Sequence, residues 1–478
     1  MALQPSMAAS CCTQLSSALG ASQVSFSNDT VYTAAQSSYW SMQESSLVPA
    51  CIVSPLWAQS VSTAVSILSE NDCPFAIRGQ THAPAAGFAN IDGGVTLDMT
   101  SLASVSLNAD RSVVSVGAGS SWLSVYSYLD PFNLTVAGGR NGAVGVGGLT
   151  LGGGISHFTA RVGWACDNVV NFQVVLASGA LVDVNATSHP LLFRALKGGG
   201  NNFGVVTRFD LATIPQGDIS VTTLSHAVAE RDSVFDAFTN LTTASPFDPY
   251  ISLVTGLLFN ATSKAWTLSN SAVYTAPNPD PPAFRGLKAI PSLSNTTRVT
   301  NLSAFANETP TPPLPKYRNW LFWTGTYAAS TSLMSQTFDT LNTSFYNFTV
   351  PGGVVWSIAF EPLPTIISSY ASAKGGNSLG TSPADGNAYI LLISALWPNR
   401  SSNSVVEQTA RSVGAQIDAL AAGQGMLHRF RYLNYADPSQ SPLRSFGPQN
   451  FARLTRASRA YDPQGVFQNN VPGGFKLV

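Results

Sequence analysis

The 478-residue sequence predicts an α+β chain of two domains, and three observations predict it. The length exceeds what one hydrophobic core usually organises. From Cys51 to Ile214, short β-rich runs alternate with helical periodicity, with glycine at the turns. Composition shifts beyond Pro215 toward proline and Asn-X-Ser/Thr sites, and shifts again from Phe430 toward closely spaced Tyr, Asn, Asp and Pro.

Each element follows from its local pattern. Phe75–Arg78, Val95–Met99 and Val113–Val116 read as short buried strands, and the apolar spacing of Val61–Ser69 reads as a helix before the first of them. Ser121–Leu129 is a further helical segment that ends at Pro131. Val169–Leu176 and Leu181–Val184 flank Ala177-Ser-Gly, a turn that pairs them as a hairpin. Leu191–Leu196 is helical and Gly204–Leu211 returns to strand. Further on, Pro277–Pro282 and Pro310–Pro315 predict surface loops. Val354–Phe360 and Ala388–Leu396 are apolar strands, and Val405–Ala422 carries helical periodicity. No internal repeat is found.

Composition excludes several classes of function. Charged residues make up only 10% of the chain against roughly 25% in ordinary soluble proteins, and net charge is −1. No Lys/Arg run exists, so nucleic-acid and anionic-membrane partners are not expected. No apolar stretch reaches the roughly 18 residues of a membrane span. Met1–Gly20 lacks the apolar centre of a signal peptide. The eleven Asn-X-Ser/Thr acceptors point the other way, because roughly six would arise by chance. The expectation is a mature secreted glycoprotein carrying N-glycans, its signal peptide replaced by an initiating Met. Cys11, Cys12, Cys51 and Cys73 allow two disulfides in three connectivities, and Cys166 reads as a buried small hydrophobe. None has the paired spacing of a zinc site, so no metal is expected.

Three separated segments carry the chemistry. Phe75-Ala-Ile-Arg78-Gly79-Gln80-Thr81-His82 runs from a strand into a polar turn whose backbone N–H groups can face an anion, with Arg78 available for a phosphate. Gly138–Gly154 holds nine glycines in seventeen residues, among them Gly142, Gly145, Gly148, Gly152 and Gly153, as a wall that lets a planar ligand approach the backbone. No helical periodicity follows Gly145, which ranks a dinucleotide-binding Rossmann turn low. Leu196–Thr207 repeats the glycine logic ahead of a strand at Gly204 and Val205.

Together these segments resemble the FAD-binding domain of the vanillyl-alcohol-oxidase superfamily, in its berberine-bridge-enzyme-like branch. The likeness covers Cys51–Ile214, including Ala89-Asn-Ile-Asp-Gly-Gly-Val-Thr-Leu-Asp98, and resumes over Tyr432–Phe475. It implies a two-part FAD-binding domain, residues 1–215 and 426–478, around a substrate domain, 216–425, built on an antiparallel sheet covered by helices. The family places a His at the position of His82 and bonds it to the flavin 8α-methyl. Many relatives have a Cys at the position of Asn141 that makes a second bond, so one link, through His82, is expected here. Gln80 and Thr81 replace two glycines of the family pattern, and Leu191 replaces a common Asp.

The same resemblance assigns Tyr432 as catalytic base and Asn434 as a flavin contact, within Tyr432-Leu-Asn434-Tyr435. In the family it resembles, valine at the position of Val144 goes with oxidase behaviour, so the resemblance implies a small-molecule substrate with O2 as acceptor and hydrogen peroxide as product. A flavoprotein cyclase of natural-product biosynthesis and a non-catalytic secreted flavin-binding protein are the alternatives. A phenol of pKa about 10 needs a nearby cation to act as a base at neutrality. Arg429 and Arg431 are close in sequence but fall at odd offsets, and if the segment is an extended strand both point to the opposite face. Substrate identity is not readable.

Overall fold

The computed structural model describes residues 5–308 and 318–477, so the Pro310–Pro315 stretch lies outside the described residues. The first sheet orders Val24–Ser25, Cys51–Val53, Val95–Asp98 and Phe75–Arg78, the last three parallel. Parallel pairing needs a crossover, which the helix Ala58–Glu70 supplies after Cys51–Val53. Its Val61, Ala64, Val65 and Leu68 are buried along one helical stripe. The helix Pro5–Leu19 packs against it and is tied down by disulfides Cys11–Cys73 and Cys12–Cys51, which select one of the three connectivities.

A second, antiparallel sheet orders Val105–Leu107, Val113–Gly117, Val205–Ala212, Val169–Val175 and Leu181–Asn185. The expected hairpin is present, with Val175 opposite Leu181 and Gly179 at φ 79° in the turn. One expectation is corrected. A helix, Val146–Leu151, does follow Gly145. Six residues make fewer than two turns, too few for periodicity to register. The neighbouring sheet is antiparallel, so no parallel Rossmann unit surrounds this helix.

The third sheet is a seven-stranded antiparallel one, ordered Ser294–Thr300, Ile219–His226, Ala265–Tyr274, Ile251–Asn260, Val355–Leu363, Ala388–Trp397 and Asn319–Ala328. Helices Arg231–Thr243, Thr331–Phe345 and Asn403–Gly423 pack on it and on one another. Only two of these seven strands are legible individually in the sequence. Ser294–Thr300 is a polar edge strand with most residues exposed, so apolar runs cannot reveal it.

Two hydrophobic cores result. One unites the first two sheets with the C-terminal segment, including Phe430, Tyr432, Leu454 and Phe467. The other lies between the third sheet and its helices. Among the described residues no helix is long and apolar enough to cross a membrane, and no group of His, Cys, Asp and Glu could hold a metal ion.

Candidate active site

A cavity of about 940 Å³ opens where the strand Phe75–Arg78 ends, and residues from all three sheets reach it. Of the sequence-predicted residues, Arg78, Gly79, Gln80, Thr81, His82, Asn141, Val144, Gly145, Gly148, Gly204, Val205, Tyr432 and Asn434 line it. Gly142, Gly152 and Gly153 do not. Gly142 instead donates its N–H to Ala306 O at 3.0 Å.

In the turn after Arg78, the backbone amides of Gln80, Thr81 and His82 have no acceptor among the described residues. Such a row of free N–H groups is a ready cradle for an anionic group. Thr81 holds φ at 59°, a left-handed conformation that a β-branched residue adopts only under strain. The guanidinium of Arg78 braces this turn from behind. It donates to Ala35 O at 2.9 Å and to Ser38 Oγ, lies 3.5 Å from Asp98, and sits 4.4 Å from the centre of the Tyr39 ring.

His82 has no hydrogen-bond partner among the described residues. Its ring lies 4.5 Å from Trp40 and 6.4 Å from Phe322, centre to centre. Burial holds the imidazole down at about 4, so it is neutral near pH 7 and carries a free nitrogen lone pair.

Tyr432 and Asn434 enter from the C-terminal segment. Asn434 Nδ2 donates to Leu149 O at 2.9 Å and to Tyr432 Oη at 3.0 Å, and Ile155 N also donates to Tyr432 Oη at 3.0 Å. Gly152 explains itself here, because a Cβ at that position would occupy the space of the Asn434 amide. Burial pushes the Tyr432 phenol well above the ordinary tyrosine range. The two donated hydrogen bonds and the Arg140 charge pull the other way, and Glu361 adds to the rise. Arg431 pairs with Asp418 at 2.6 Å and Arg429 with Gly380 O, so neither serves Tyr432.

A buried polar cluster beside Tyr432 was not legible. Arg140 Nη2 meets Glu361 Oε1 at 2.6 Å and donates to Tyr435 Oη at 2.8 Å, while Tyr435 Oη donates to Glu361 Oε1 at 2.9 Å. Glu361 Oε2 is buried without a hydrogen-bond partner among the described residues. His157, also lining the cavity, bonds Ser252 Oγ through Nδ1 at 3.0 Å and leaves Nε2 unpartnered. Burial, then Arg140, holds it down at about 3. The available signal was a lone carboxylate just past the apolar run Val354–Phe360, in a chain with few charges.

The residues present fit a large planar cofactor with an anionic centre. Gly79 and Gly148 line the cavity with open space where a Cβ would stand. The free amides of residues 80–82 suit a pyrophosphate, and the aromatic and glycine walls suit a ring system.

Comparison with known proteins agrees. The FAD binding domain family matches residues 49–185, and the berberine and berberine-like family matches residues 431–472. The FAD-dependent monooxygenase tpcD of Cochliobolus heterostrophus is 35% identical over 458 residues, covering 92% of this chain and 87% of the relative. The FAD-dependent monooxygenase sdcF of Emericella nidulans is 35% identical over 474 residues, covering 98% of each. Two solved structures share the fold at low identity. A glucooligosaccharide oxidase of Acremonium strictum gives a TM-score of 0.79 at 20% identity, covering 97% of this chain and 99% of that one. The BBE-like 1 protein of Physcomitrella patens gives 0.78 at 18%, covering 96% and 97%. With this fold, this cavity and these relatives, the chain binds FAD and belongs to the berberine-bridge-enzyme-like branch of FAD-linked oxidoreductases in the vanillyl-alcohol-oxidase superfamily.

Proposed function

We propose that this protein is a secreted oxidase that carries FAD through one covalent bond, at His82, and removes hydride from a C–H bond of a small-molecule substrate, with O2 as acceptor. The observation that carries the reading is the His82 imidazole, neutral and free of hydrogen bonds, at a cavity that continues to Tyr432 and Asn434. The Acremonium enzyme above bears a 6-S-cysteinyl, 8α-N1-histidyl FAD. Asn141 offers no thiol for the cysteinyl bond, and its Oδ1 accepts from Ala143 N at 2.9 Å.

FAD, when bound, supplies the two-electron acceptor. The chain supplies the rest. The amides of residues 80–82 would hold the anionic centre, and the glycine wall would admit the ring system. Asn434 orients the Tyr432 hydroxyl, whose two accepted hydrogen bonds favour the phenolate that takes the substrate proton. Val144 borders the cavity, where it would control the approach of O2. The division into residues 1–215 with 426–478 for FAD, and 216–425 for substrate, is supported by the two cores, although eleven buried residues of 216–425 join the first, among them Ile219, Val221, Leu302, Phe305, Leu379 and Ile390. Two disulfides and the excess of glycosylation acceptors support secretion and N-glycans.

Acid-denatured protein should stay yellow, and His82→Ala should release its flavin on denaturation; colourless wild-type precipitate would sink the covalent reading. Flavin bleaching across a substrate panel, with hydrogen peroxide measured per product, tests the oxidase reading. Two observations favour variants of it. The raised Tyr432 phenol and the unpartnered Glu361 Oε2 make Glu361 a second candidate base. If Glu361→Gln abolishes anaerobic bleaching and Tyr432→Phe does not, Glu361 holds the role. The fungal relatives are named monooxygenases, so an oxygen atom in the product is the second outcome. Isotopically labelled O2 distinguishes it.

A further inference from the structure

The ring of His82 is held by aromatic packing and not by hydrogen bonds. Trp40 lies 4.5 Å from His82 and stacks on Trp320 of the large sheet at 4.1 Å and 23°. Phe322 completes the group, 5.7 Å from Trp40 and 6.4 Å from His82. His82, Trp320 and Phe322 line the cavity, whereas Trp40 does not, so Trp40 meets His82 from outside the cavity wall. The stack is anchored across the chain. Gln43 Nε2 donates to Trp320 O at 2.7 Å and Trp320 N donates to Gln43 Oε1 at 3.1 Å. Met42 N donates to Arg318 O at 2.9 Å, so residues 42–43 bond along the edge strand Asn319–Ala328.

We propose that Trp40 is a positioning residue for covalent flavin attachment, fixing the plane of the His82 imidazole so that one nitrogen faces the flavin 8α-carbon. This rests on the His82 reading above. Attachment forms a carbon–nitrogen bond and breaks one C–H bond of the 8α-methyl. The imidazole N–H proton is released, the two electrons of the C–H bond reduce the flavin, and dioxygen takes them with two protons as hydrogen peroxide. No step requires a group outside FAD, His82 and O2. Where geometry governs such a step, a misplacement near 1 Å costs up to about a hundredfold in rate. Most side chains in polar sites are oriented by hydrogen bonds, and His82 has none, so its ring depends on Trp40 and its neighbours.

The test is flavin retention rather than turnover. Apo-protein of wild type, Trp40→Leu and Trp40→Phe is mixed with FAD in air. Bound FAD per chain and the fraction surviving acid precipitation are followed over time. Trp40→Leu should bind FAD at wild-type stoichiometry but attach it about tenfold or more slowly. Trp40→Phe, which keeps a ring, should stay near wild type. Trp320→Leu, at the far side of the stack, should show the same slowing and keeps the test decisive if Trp40→Leu does not fold. Attachment at the wild-type rate in Trp40→Leu, or in Trp320→Leu where Trp40→Leu is lost, overturns the proposal. Wild-type protein that never retains flavin overturns the His82 link itself, and the Trp40 role with it.

Discussion

Single residues in the turn at the cavity carry costs that can be measured. Thr81, at φ 59°, occupies a conformation that glycine adopts freely. Thr81→Gly should therefore stabilise the chain by about 1 kcal/mol, after allowing for the extra freedom of glycine in the unfolded state. A drop in Tm for this variant would show that the hydroxyl, 3.5 Å from Ser38 O, outweighs the strain. Glu44 is a second case. Its carboxylate is fully buried and accepts from Ala89 N at 2.7 Å and Gly87 N at 3.3 Å, closing the loop that follows His82. Burial pushes it up to about 8 from 4.5. The folded chain thus binds the extra proton between those values. Its contribution is fully present below pH 4.5 and lost as pH rises through 8. Glu44→Gln should flatten the decline in Tm over that window, and an unchanged pH profile would remove Glu44 as its source.

At the scale of elements, the N-terminal helix depends on its cross-links. Pro5–Leu19 carries both Cys11 and Cys12, and each reaches a separate point of the first sheet region. The Cys11–Cys73 bridge closes 62 residues, for which chain entropy gives about 4 kcal/mol. Cys11→Ser with Cys73→Ser should lower stability by roughly 2–4 kcal/mol in denaturant titration. An unchanged midpoint would mean that helix packing alone holds the segment. The strands nearest the cofactor cavity were legible because each is a short apolar run ended by glycine or a polar turn. Phe75–Arg78 matches its predicted bounds, and Val205–Ala212 differs by one residue at each end. Five of the seven strands of the third sheet were not, because several are rich in Ser and Thr and owe their pairing to neighbours distant in sequence.

Across the whole molecule, the two cores meet at the cavity, and a buried ion pair joins them. Arg140 belongs to the glycine segment and Glu361 to the large sheet, 221 residues later. Their side chains are 16% and 5% exposed, so removing one charge leaves the other uncompensated. Glu361→Ala should cost about 3 kcal/mol or more, and Glu361→Gln less, since an amide still accepts from Arg140 and Tyr435. Equal stability of both variants and wild type would place the pair among contacts that contribute nothing net. The pair also sets the charge beside Tyr432, where Arg140 lowers and Glu361 raises the phenol. The segment that carries Arg429 and Arg431 is not a strand, and folding engages both side chains elsewhere. The cation that does approach was out of reach of any local pattern.

The glycine segments, the polar turn before His82, the absence of a thiol at Asn141 and the closeness of Tyr432 to Asn434 are all written in short stretches of chain, and the family resemblance they carry singled out His82 among five histidines. These are local properties: glycine and turn residues act on their own backbone, and a motif keeps its neighbours through folding. Folding alone settles the disulfide pairing, the role of Arg78 as a brace, the Arg140–Glu361–Tyr435 cluster and the aromatic stack beside His82. Each of those joins groups tens to hundreds of residues apart, and their meeting depends on sheet order and domain packing, which no window of sequence contains.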